Sequence, residues 1–231
     1  MKLNFEKFKK DFSLSLEDIS REYFIRNKDN MSIKKESTAI KNLATIIQNT
    51  LSISNDRGFQ AMSLRDLSKE SGLSLGALYS YFSSKEELFR IIHNIGMDTI
   101  TNVLVQNIAH CNTLEEKLRH GIKIHLYLSE LMGDWFYFLY METKNLSKEE
   151  RKLSLQAELY TENIFAEIIQ EGIKKKIFQT KNALLISSAI KALLQDWYLK
   201  RWKYFSRKIT VEEYAEFVIE FVEANLLKNK K

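Results

Sequence analysis

The chain has 231 residues, of which 45% are hydrophobic and 28% are charged, so it can bury a core and is not a disordered segment. It has no proline, 7 glycines and one cysteine, which excludes an intramolecular disulfide framework and argues against a turn-rich sandwich or barrel. The net charge of +5 is spread evenly, with 7 basic and 6 acidic residues in 1–32, 8 and 6 in 33–95, and 20 and 18 in 96–231. Charge therefore permits nucleic-acid binding but does not argue for it.

The N-terminal residues, MKLNFEKFKKDF, are charged throughout and lack the apolar run of a signal peptide. The densest apolar run, residues 135–141 (WFYFLYM), is far shorter than the roughly 18 residues of a membrane span. We therefore expect a cytoplasmic protein without a membrane segment.

Apolar residues recur at helical spacing along the N-terminal part of the chain, and serine caps divide the pattern into helices. Glycines mark two of the helix ends, at Gly58 and Gly72. Ser84 and Glu87 form a capping box at the start of the last helix of this part, and Gly96 is the predicted end or bend of that helix. The predicted spans are 15–27, about 33 or 37 to 57, 63–72, 74–82 and 84–96.

Longer helices are predicted in the remainder, again from capping patterns. One of them begins at residue 113, and the other three span residues 147–176, 182–204 and 210–227. Strands find almost no support, so the fold class is all-α. We predict an N-terminal helical extension (1–32), a three-helix domain (33–95) and a larger helical bundle (96–231).

Residues 72–76 (GLSLG) match the G-x-S-x-G pattern that carries the nucleophile of α/β-hydrolases. That elbow requires a buried strand before it, whereas residues 63–70 form a capped amphipathic helix. No histidine occupies the late loop that a hydrolase order would need. The alternative is a tight turn between two short helices, as in a helix-turn-helix. The turn is the favoured interpretation, and the chain is not expected to be an enzyme.

Residues 46–88 resemble the N-terminal domain of TetR-family transcriptional regulators. The matching segments are residues 57–59 (RGF), 63–67 (SLRDL), 72–74 (GLS), 76–82 (GALYSYF) and 83–88 (SSKEEL). Two positions depart from the pattern: Ser54 replaces a core phenylalanine, and Ala77 replaces a frequent hydroxyl residue. The resemblance implies a helix-turn-helix head that binds double-stranded DNA and a C-terminal domain that dimerises and binds a small effector.

Carried over by position, the resemblance implies DNA contacts at the turn and on the second helix of the motif. Arg65 is the expected reader of a base edge, and Lys85, Tyr79 and Tyr81 are expected at phosphates. One of the two tyrosines has packing inwards as its alternative. The full expected set is Ser63, Arg65, Ser74, Leu75, Gly76, Ala77, Tyr79, Ser80, Tyr81 and Lys85.

Dense aromatic residues between 127 and 140 predict either an apolar ligand pocket or simple core. The expected pocket residues are Tyr127, Leu131, Trp135, Phe138, Phe165 and Trp197. The resemblance also implies a two-fold interface between the last two helices and their copies. The expected interface residues are Leu185, Ala189, Leu193, Phe217 and Phe221.

The leading hypothesis is a homodimeric, ligand-responsive repressor that binds a palindromic operator and is released by a small apolar effector. An acyl-CoA is one candidate effector, because basic residues at 200–208 offer partners for phosphates. The alternatives are a serine hydrolase using Ser74 and a helical adaptor without DNA binding. No motif for a metal or a cofactor is present, so none is expected.

Overall fold

The computed structural model describes residues 3–12, 15–28, 35–145 and 147–227, and every regular element in these ranges is helical. A short 3₁₀ segment (Glu142–Asn145) links two of the helices. The α-helices are α1 (Phe5–Asp11), α2 (Leu16–Asn27), α3 (Glu36–Arg57), α4 (Leu64–Ser71), α5 (Leu75–Leu78), α6 (Lys85–Ala109), α7 (Leu114–Leu131), α8 (Gly133–Met141), α9 (Lys148–Lys174), α10 (Ala183–Leu199), α11 (Arg201–Ser206) and α12 (Val211–Leu226).

The helices form two compact units. The N-terminal unit comprises Ser13–Thr99 and Asp134–Ser154, and the C-terminal unit comprises Met1–Phe12, Ile100–Gly133 and Leu155–Lys231. This division differs from the predicted domains, because α1 belongs to the C-terminal unit whereas α2 belongs to the N-terminal one. α6 contributes residues to both units as one continuous helix.

The N-terminal unit is built around α3, which packs against α2 and α4. The α3 side chains that face inwards include Leu43, Ile46 and Ile47, which are fully buried. Ser54, at the position where the resembled pattern has a phenylalanine, is also buried, and its hydroxyl has no hydrogen-bond partner among the described residues. The end of α3 therefore carries an uncompensated polar atom, which is the kind of site that lowers stability.

The C-terminal unit is a bundle in which α7 packs against α1, α10 and α12. Residues 121–129 of α7 are buried on every side, so this helix forms the centre of the bundle. Gly121 allows the close approach, because a Cβ at this position would lie 2.9 Å from the Phe165 ring of α9.

Several predicted spans are corrected by the structure. α5 is shorter than expected, since it ends at Leu78 rather than near residue 82. α6 neither ends nor breaks at Gly96 but continues to Ala109. The predicted helix 182–204 is two helices, α10 and α11, with Lys200 between them outside helical geometry. α1 is a helix that was not among the predicted spans.

Gly96 lies where α6 meets the indole of Trp135. A Cβ on Gly96 would come within 2.1 Å of the Trp135 Nε1 atom. That nitrogen donates a 3.0 Å hydrogen bond to the backbone carbonyl of Ile92, one turn earlier in α6. The glycine is therefore required by close packing inside a helix, not by a helix end or bend.

We predict that Gly96→Ala lowers the free energy of unfolding by about 1–3 kcal/mol, the usual cost of forcing an extra methyl group into a packed core. The measurement is urea denaturation followed by circular dichroism. Gly133→Ala is the matched control, because a Cβ at Gly133 meets no atom within 4 Å. Equal effects of the two substitutions would contradict the packing argument.

Candidate nucleic-acid interface and ligand cavity

The helix-turn-helix is defined by two side-chain caps and one left-handed glycine. Ser63 accepts a hydrogen bond from the amide of Asp66 at 3.1 Å, and the Asp66 carboxylate accepts one from the Ser63 amide at 2.8 Å, which starts α4. Gly72 ends α4 with φ of 70°, a conformation that glycine adopts at low cost. Ser74 then caps α5 by accepting from the amide of Ala77 at 3.2 Å.

Ser74 is therefore a helix cap. The residues before it form helix α4, not the strand that a hydrolase elbow requires. The G-x-S-x-G pattern in this chain is the turn of a helix-turn-helix, and the hydrolase alternative loses the structural context on which it depended.

One side of the motif is exposed and the other packs inwards. Leu67 of α4 and Leu78 of α5 are fully buried. Arg65, Ser63 and Ser74 are exposed, Ala77 and Ser80 are half-buried, and Leu75 and Gly76 are exposed. The hydroxyls of Ser63, Ser74 and Ser80 already make local hydrogen bonds. Those of Ser63 and Ser74 belong to the two helix caps, and that of Ser80 donates to the Gly76 carbonyl at 3.2 Å.

The two tyrosines of the motif separate clearly. Tyr79 is 55% exposed, whereas Tyr81 is only 7% exposed. Burial raises the pKa of the Tyr81 phenol, and a hydrogen bond with Asn42 of α3 opposes that shift. Tyr81 therefore packs inwards, the alternative that the sequence analysis left open for one of the pair. Tyr79 remains the candidate for phosphate contact.

Lys85, at the start of α6, has a structural partner. Its Nζ donates a 2.9 Å hydrogen bond to the carbonyl of Gln60 and lies 4.9 Å from the centre of the Phe59 ring. Partial burial lowers the pKa of this lysine. Lys85 thus ties the loop after α3 to α6, and its expected contact with phosphate is an additional role.

Trp135 and Phe138, two of the expected pocket residues, lie in the core of the N-terminal unit. The Phe138 ring lies 5.7 Å from that of Phe59 and 5.4 Å from that of Phe89. The Trp135 indole fills the space beside Gly96. Core packing, the alternative weighed for this aromatic run, accounts for both side chains, and a ligand position beside them stays a prediction.

The other expected pocket residues lie in the C-terminal unit. Phe165 is fully buried against Gly121, and Leu131 is half-buried. Tyr127 is buried and donates a 2.5 Å hydrogen bond from its hydroxyl to the Glu212 carboxylate. Trp197 alone of the six lines a cavity of about 490 Å³ in this unit.

The cavity is formed by the starts of α1 and α12, the end of α7, and α10 with α11. Trp197 donates from its indole to Glu130 at 3.1 Å, and Glu130 also pairs with Arg201 of α11. Phe205, on the exposed side of α11, contributes an aromatic wall. The complete lining is Asn4, Phe5, Glu6, Glu130, Trp197, Arg201, Phe205, Ile209, Thr210, Val211 and Glu212.

Glu212 connects three elements around this cavity. Its carboxylate accepts hydrogen bonds from the Phe5 amide at 2.8 Å and the Lys123 ammonium at 2.9 Å, in addition to the Tyr127 hydroxyl. Burial alone would raise the pKa of Glu212, but these donors lower it below its usual value. Lys123, which also contacts Glu216 at 2.8 Å, is almost fully buried. The network fixes α1 against α7 and α12.

Three of the basic residues expected to hold phosphates, Lys200, Arg201 and Lys203, are paired with carboxylates of the same chain. Asp196 binds Lys200 at 2.8 Å and also contacts Lys203 and the Tyr204 hydroxyl. Burial raises the pKa of Asp196, but these three donors outweigh it and depress the pKa far below its usual value. One carboxylate therefore holds both Lys200 and Lys203, which offsets one of their two positive charges.

The expected dimer face is apolar and accessible. On α10, Leu185 and Ala189 are exposed and Leu193 is half-buried. On α12, Phe217 and Phe221 are exposed. α10 and α12 pack against each other, so their exposed residues belong to neighbouring helices.

Sequence comparison identifies both halves of the chain. Residues 46–92 match the family described as bacterial regulatory proteins, tetR family, and residues 111–222 match the domain described as tetracyclin repressor-like, C-terminal. The chain therefore belongs to the TetR family of transcriptional regulators, whose members are not enzymes. The helix-turn-helix described above is the family's DNA-binding motif.

Individual relatives agree with this assignment. The chain is 27% identical over 202 residues to the uncharacterized HTH-type regulator YfiR of Bacillus subtilis, covering 83% of this chain and 95% of YfiR. It is 24% identical over 174 residues to IcaR of Staphylococcus aureus, the negative regulator of the biofilm operon icaADBC, covering 73% of this chain and 88% of IcaR. The structure of AibR in complex with isovaleryl coenzyme A and operator DNA shares the fold, with a TM-score of 0.69 and 16% identity over 78% of this chain and 97% of AibR.

Among the described residues, no helix combines the length and apolar character needed to cross a membrane.

The interior of the C-terminal unit contains an imidazole, His125, that is only 2% exposed. Burial, together with the charge of Lys191, lowers its pKa well below the usual value. Lys191 is also buried and donates a 2.9 Å hydrogen bond to the Thr161 hydroxyl. The folded state therefore favours neutral His125.

We predict that the stability of the protein falls as the pH drops from 7.5 to 5.5. The unfolded chain protonates this histidine near pH ~6.5, whereas the folded protein keeps it neutral, so acid favours unfolding. In urea denaturation at the two pH values, His125→Gln should show a smaller loss than the parent. His110→Gln is the control, because His110 is exposed. A parent-like loss in His125→Gln would refute the assignment.

Proposed function

We propose that this TetR-family regulator is a homodimeric repressor that binds a palindromic operator and leaves it when a small molecule binds the C-terminal unit. The observation that carries the proposal is the exposed side of the helix-turn-helix, with Arg65 and Tyr79 presented beside the short helix α5. The repressor role is supported by the similarity to IcaR, whose name describes a negative regulator.

The exposed residues divide into positioning and reading roles. Tyr79 offers a hydroxyl for a phosphate, and phosphate contacts set the register of a protein on DNA. Arg65 offers a guanidinium, which matches the O6 and N7 acceptors of guanine in the major groove. Leu75 and Ala77 present apolar surface suited to thymine methyl groups. The head thus has one strong candidate for base readout, and DNA shape supplies the remaining specificity.

Dimerisation follows from the apolar face of α10 and α12. Exposed leucine and phenylalanine side chains on adjacent helices favour burial against a second copy. A two-fold dimer places its reading helices in successive major grooves only if they lie about 34–36 Å apart. An effector that binds more tightly to a dimer with another spacing shifts the population away from the DNA-bound form.

α6 is the inferred route between effector and operator. It starts in the N-terminal unit, immediately after the helix-turn-helix, and its last residues belong to the C-terminal unit. An acyl-CoA was the candidate effector from the sequence, and AibR was solved with isovaleryl coenzyme A. In this chain Lys200 and Lys203 are already bound to Asp196, so they are not free donors for the phosphates of such a ligand.

The proposal is tested by gel-shift titration with the DNA upstream of the protein's own coding region. We expect a salt-sensitive, sequence-specific complex. Absence of binding to any sequence in a random-sequence selection would favour the helical adaptor instead.

We predict that Tyr79→Phe weakens binding to all DNA sequences about 2- to 10-fold, the effect of losing one phosphate hydrogen bond. Tyr81→Phe is the matched control, because the same hydroxyl is removed at a buried site, and it should bind like the parent. The measurement is fluorescence anisotropy with operator and non-operator duplexes. If Tyr81→Phe proves the weaker binder, the two assignments must be exchanged.

We predict that Arg65→Ala, measured in the same assay, loses about 1–3 kcal/mol of discrimination at one base pair of the operator. A uniform loss on every sequence would make Arg65 a phosphate contact instead.

We predict that Leu185→Glu with Phe221→Glu converts the dimer into a monomer, because burying two carboxylates at an interface is strongly unfavourable. Sedimentation velocity reports the change. Leu159→Glu is the matched control, since Leu159 of α9 is also more than half exposed but lies outside the proposed face. A monomeric Leu159→Glu variant with a dimeric double variant would move the interface to α9.

A further inference from the structure

We propose that the cavity beside α1 is the effector site and that its ligand is a lipophilic organic cation. That the ligand acts as an effector rests on the proposed function, whereas the chemical class of the ligand is argued from the cavity alone. The cavity volume of about 490 Å³ falls within the range of small-molecule sites. Residues 3–12, which supply part of its wall, precede both family-matched segments.

The charge of the lining favours a cation. Three carboxylates, Glu6, Glu130 and Glu212, face one guanidinium, Arg201, so the formal charge of the lining is −2. Arg201 is already paired with Glu130. Lys123, which binds the lining residue Glu212, does not itself line the cavity and is also held by Glu216.

The start of α12 does not reverse this preference. A helix N-terminus attracts anions through its unpaired amides and its dipole. Here the Glu213 carboxylate accepts from the Thr210 amide at 2.8 Å, and the Thr210 hydroxyl accepts from the Glu213 amide at 3.2 Å. With Glu212 also in the first turn, the protein's own carboxylates occupy the place that a phosphate would take.

The aromatic walls suit the same ligand. Phe5, Trp197 and Phe205 line the cavity, and aromatic faces attract organic cations through the ring quadrupole. Phe205 is 84% exposed, so an apolar ligand has a large aromatic surface to cover. A compact ligand with a delocalised positive charge can contact both the aromatic walls and the carboxylates. An acyl-CoA would instead place its phosphates next to those carboxylates.

α1 makes the site conditional on the N-terminal segment. The Phe5 amide binds Glu212, the Lys123 ammonium donates to the Leu3 carbonyl at 3.1 Å, and the Phe5 ring lies 5.4 Å from that of Tyr127. Asn4 caps the helix by accepting from the Lys7 amide at 2.9 Å. These contacts place Phe5 and Glu6 at the cavity, which assigns a function to the N-terminal extension.

The test compares two probes of the same shape and opposite charge, tetraphenylphosphonium and tetraphenylborate, by isothermal titration of the full chain. We expect the cation to bind at least tenfold more tightly. Octanoyl-coenzyme A is the third probe. Equal or tighter binding of the borate, or binding of the acyl-CoA without the cation, would overturn the ligand class.

Two matched pairs locate the site. Phe205→Ala should weaken tetraphenylphosphonium binding at least fivefold, whereas Trp202→Ala should not, because Trp202 is 72% exposed on the same helix but does not line the cavity. Glu6→Gln should weaken binding severalfold, whereas Asp11→Asn, an exposed carboxylate of α1 away from the cavity, should not. Equal effects within either pair would place the probe elsewhere.

Anisotropy with operator DNA separates the ligand class from the regulatory role. Release of DNA by tetraphenylphosphonium supports both. Tight binding of the cation without release overturns the effector role while leaving DNA binding intact. A chain that binds the cation but no DNA at all refutes the proposed function and leaves the ligand class standing.

Discussion

Helix capping by side chains is the constraint on which the arrangement of this chain depends. Without proline and with few glycines, the chain begins most of its described helices where a serine, threonine or asparagine oxygen accepts from the first free backbone amides. The exceptions include α3 and α11, which begin at Lys35 and Lys200 without a side-chain cap. The cap at Ser74 decides which residues of the helix-turn-helix face outwards. The cap at Thr210 places Glu212 in the first turn of α12, where it binds α1 and lines the cavity.

Those caps also explain how much of the fold was predictable from the sequence. Capping is local, so the starts of α2, α4, α5, α7 and α12 were predicted at the observed residues. Helix ends were harder. A glycine at position 96 predicted a helix end or bend, but α6 continues through it. The glycine instead makes room for Trp135, which lies 39 positions away in the sequence and is therefore invisible to a local pattern.

The functional residues divide in the same way. The proposed DNA-contacting face was predicted from a dense local motif. The structure distinguishes exposed Tyr79 from Tyr81, which is buried against α3, and spacing alone does not reveal this difference. The cavity was largely missed. Its walls come from four distant segments. Trp197 was named in advance as a pocket residue, and Arg201 only as part of a basic cluster for phosphates. Aromatic residues serve both as core and as pocket walls, so their density in the sequence does not distinguish the two. At Trp135 and Phe138 the dense aromatic residues form core.

The capped helices have a consequence for how the chain folds. Each cap closes a loop of only a few residues, and most helices are joined by short connections, so much of the structure is determined by neighbours in sequence. Without proline there is no peptide isomerisation lasting tens of seconds to delay the process. The individual chain should therefore reach its folded form quickly after synthesis. For the proposed homodimer, the slowest event in assembly is then the encounter of two finished copies, whose rate depends on how many molecules the cell holds.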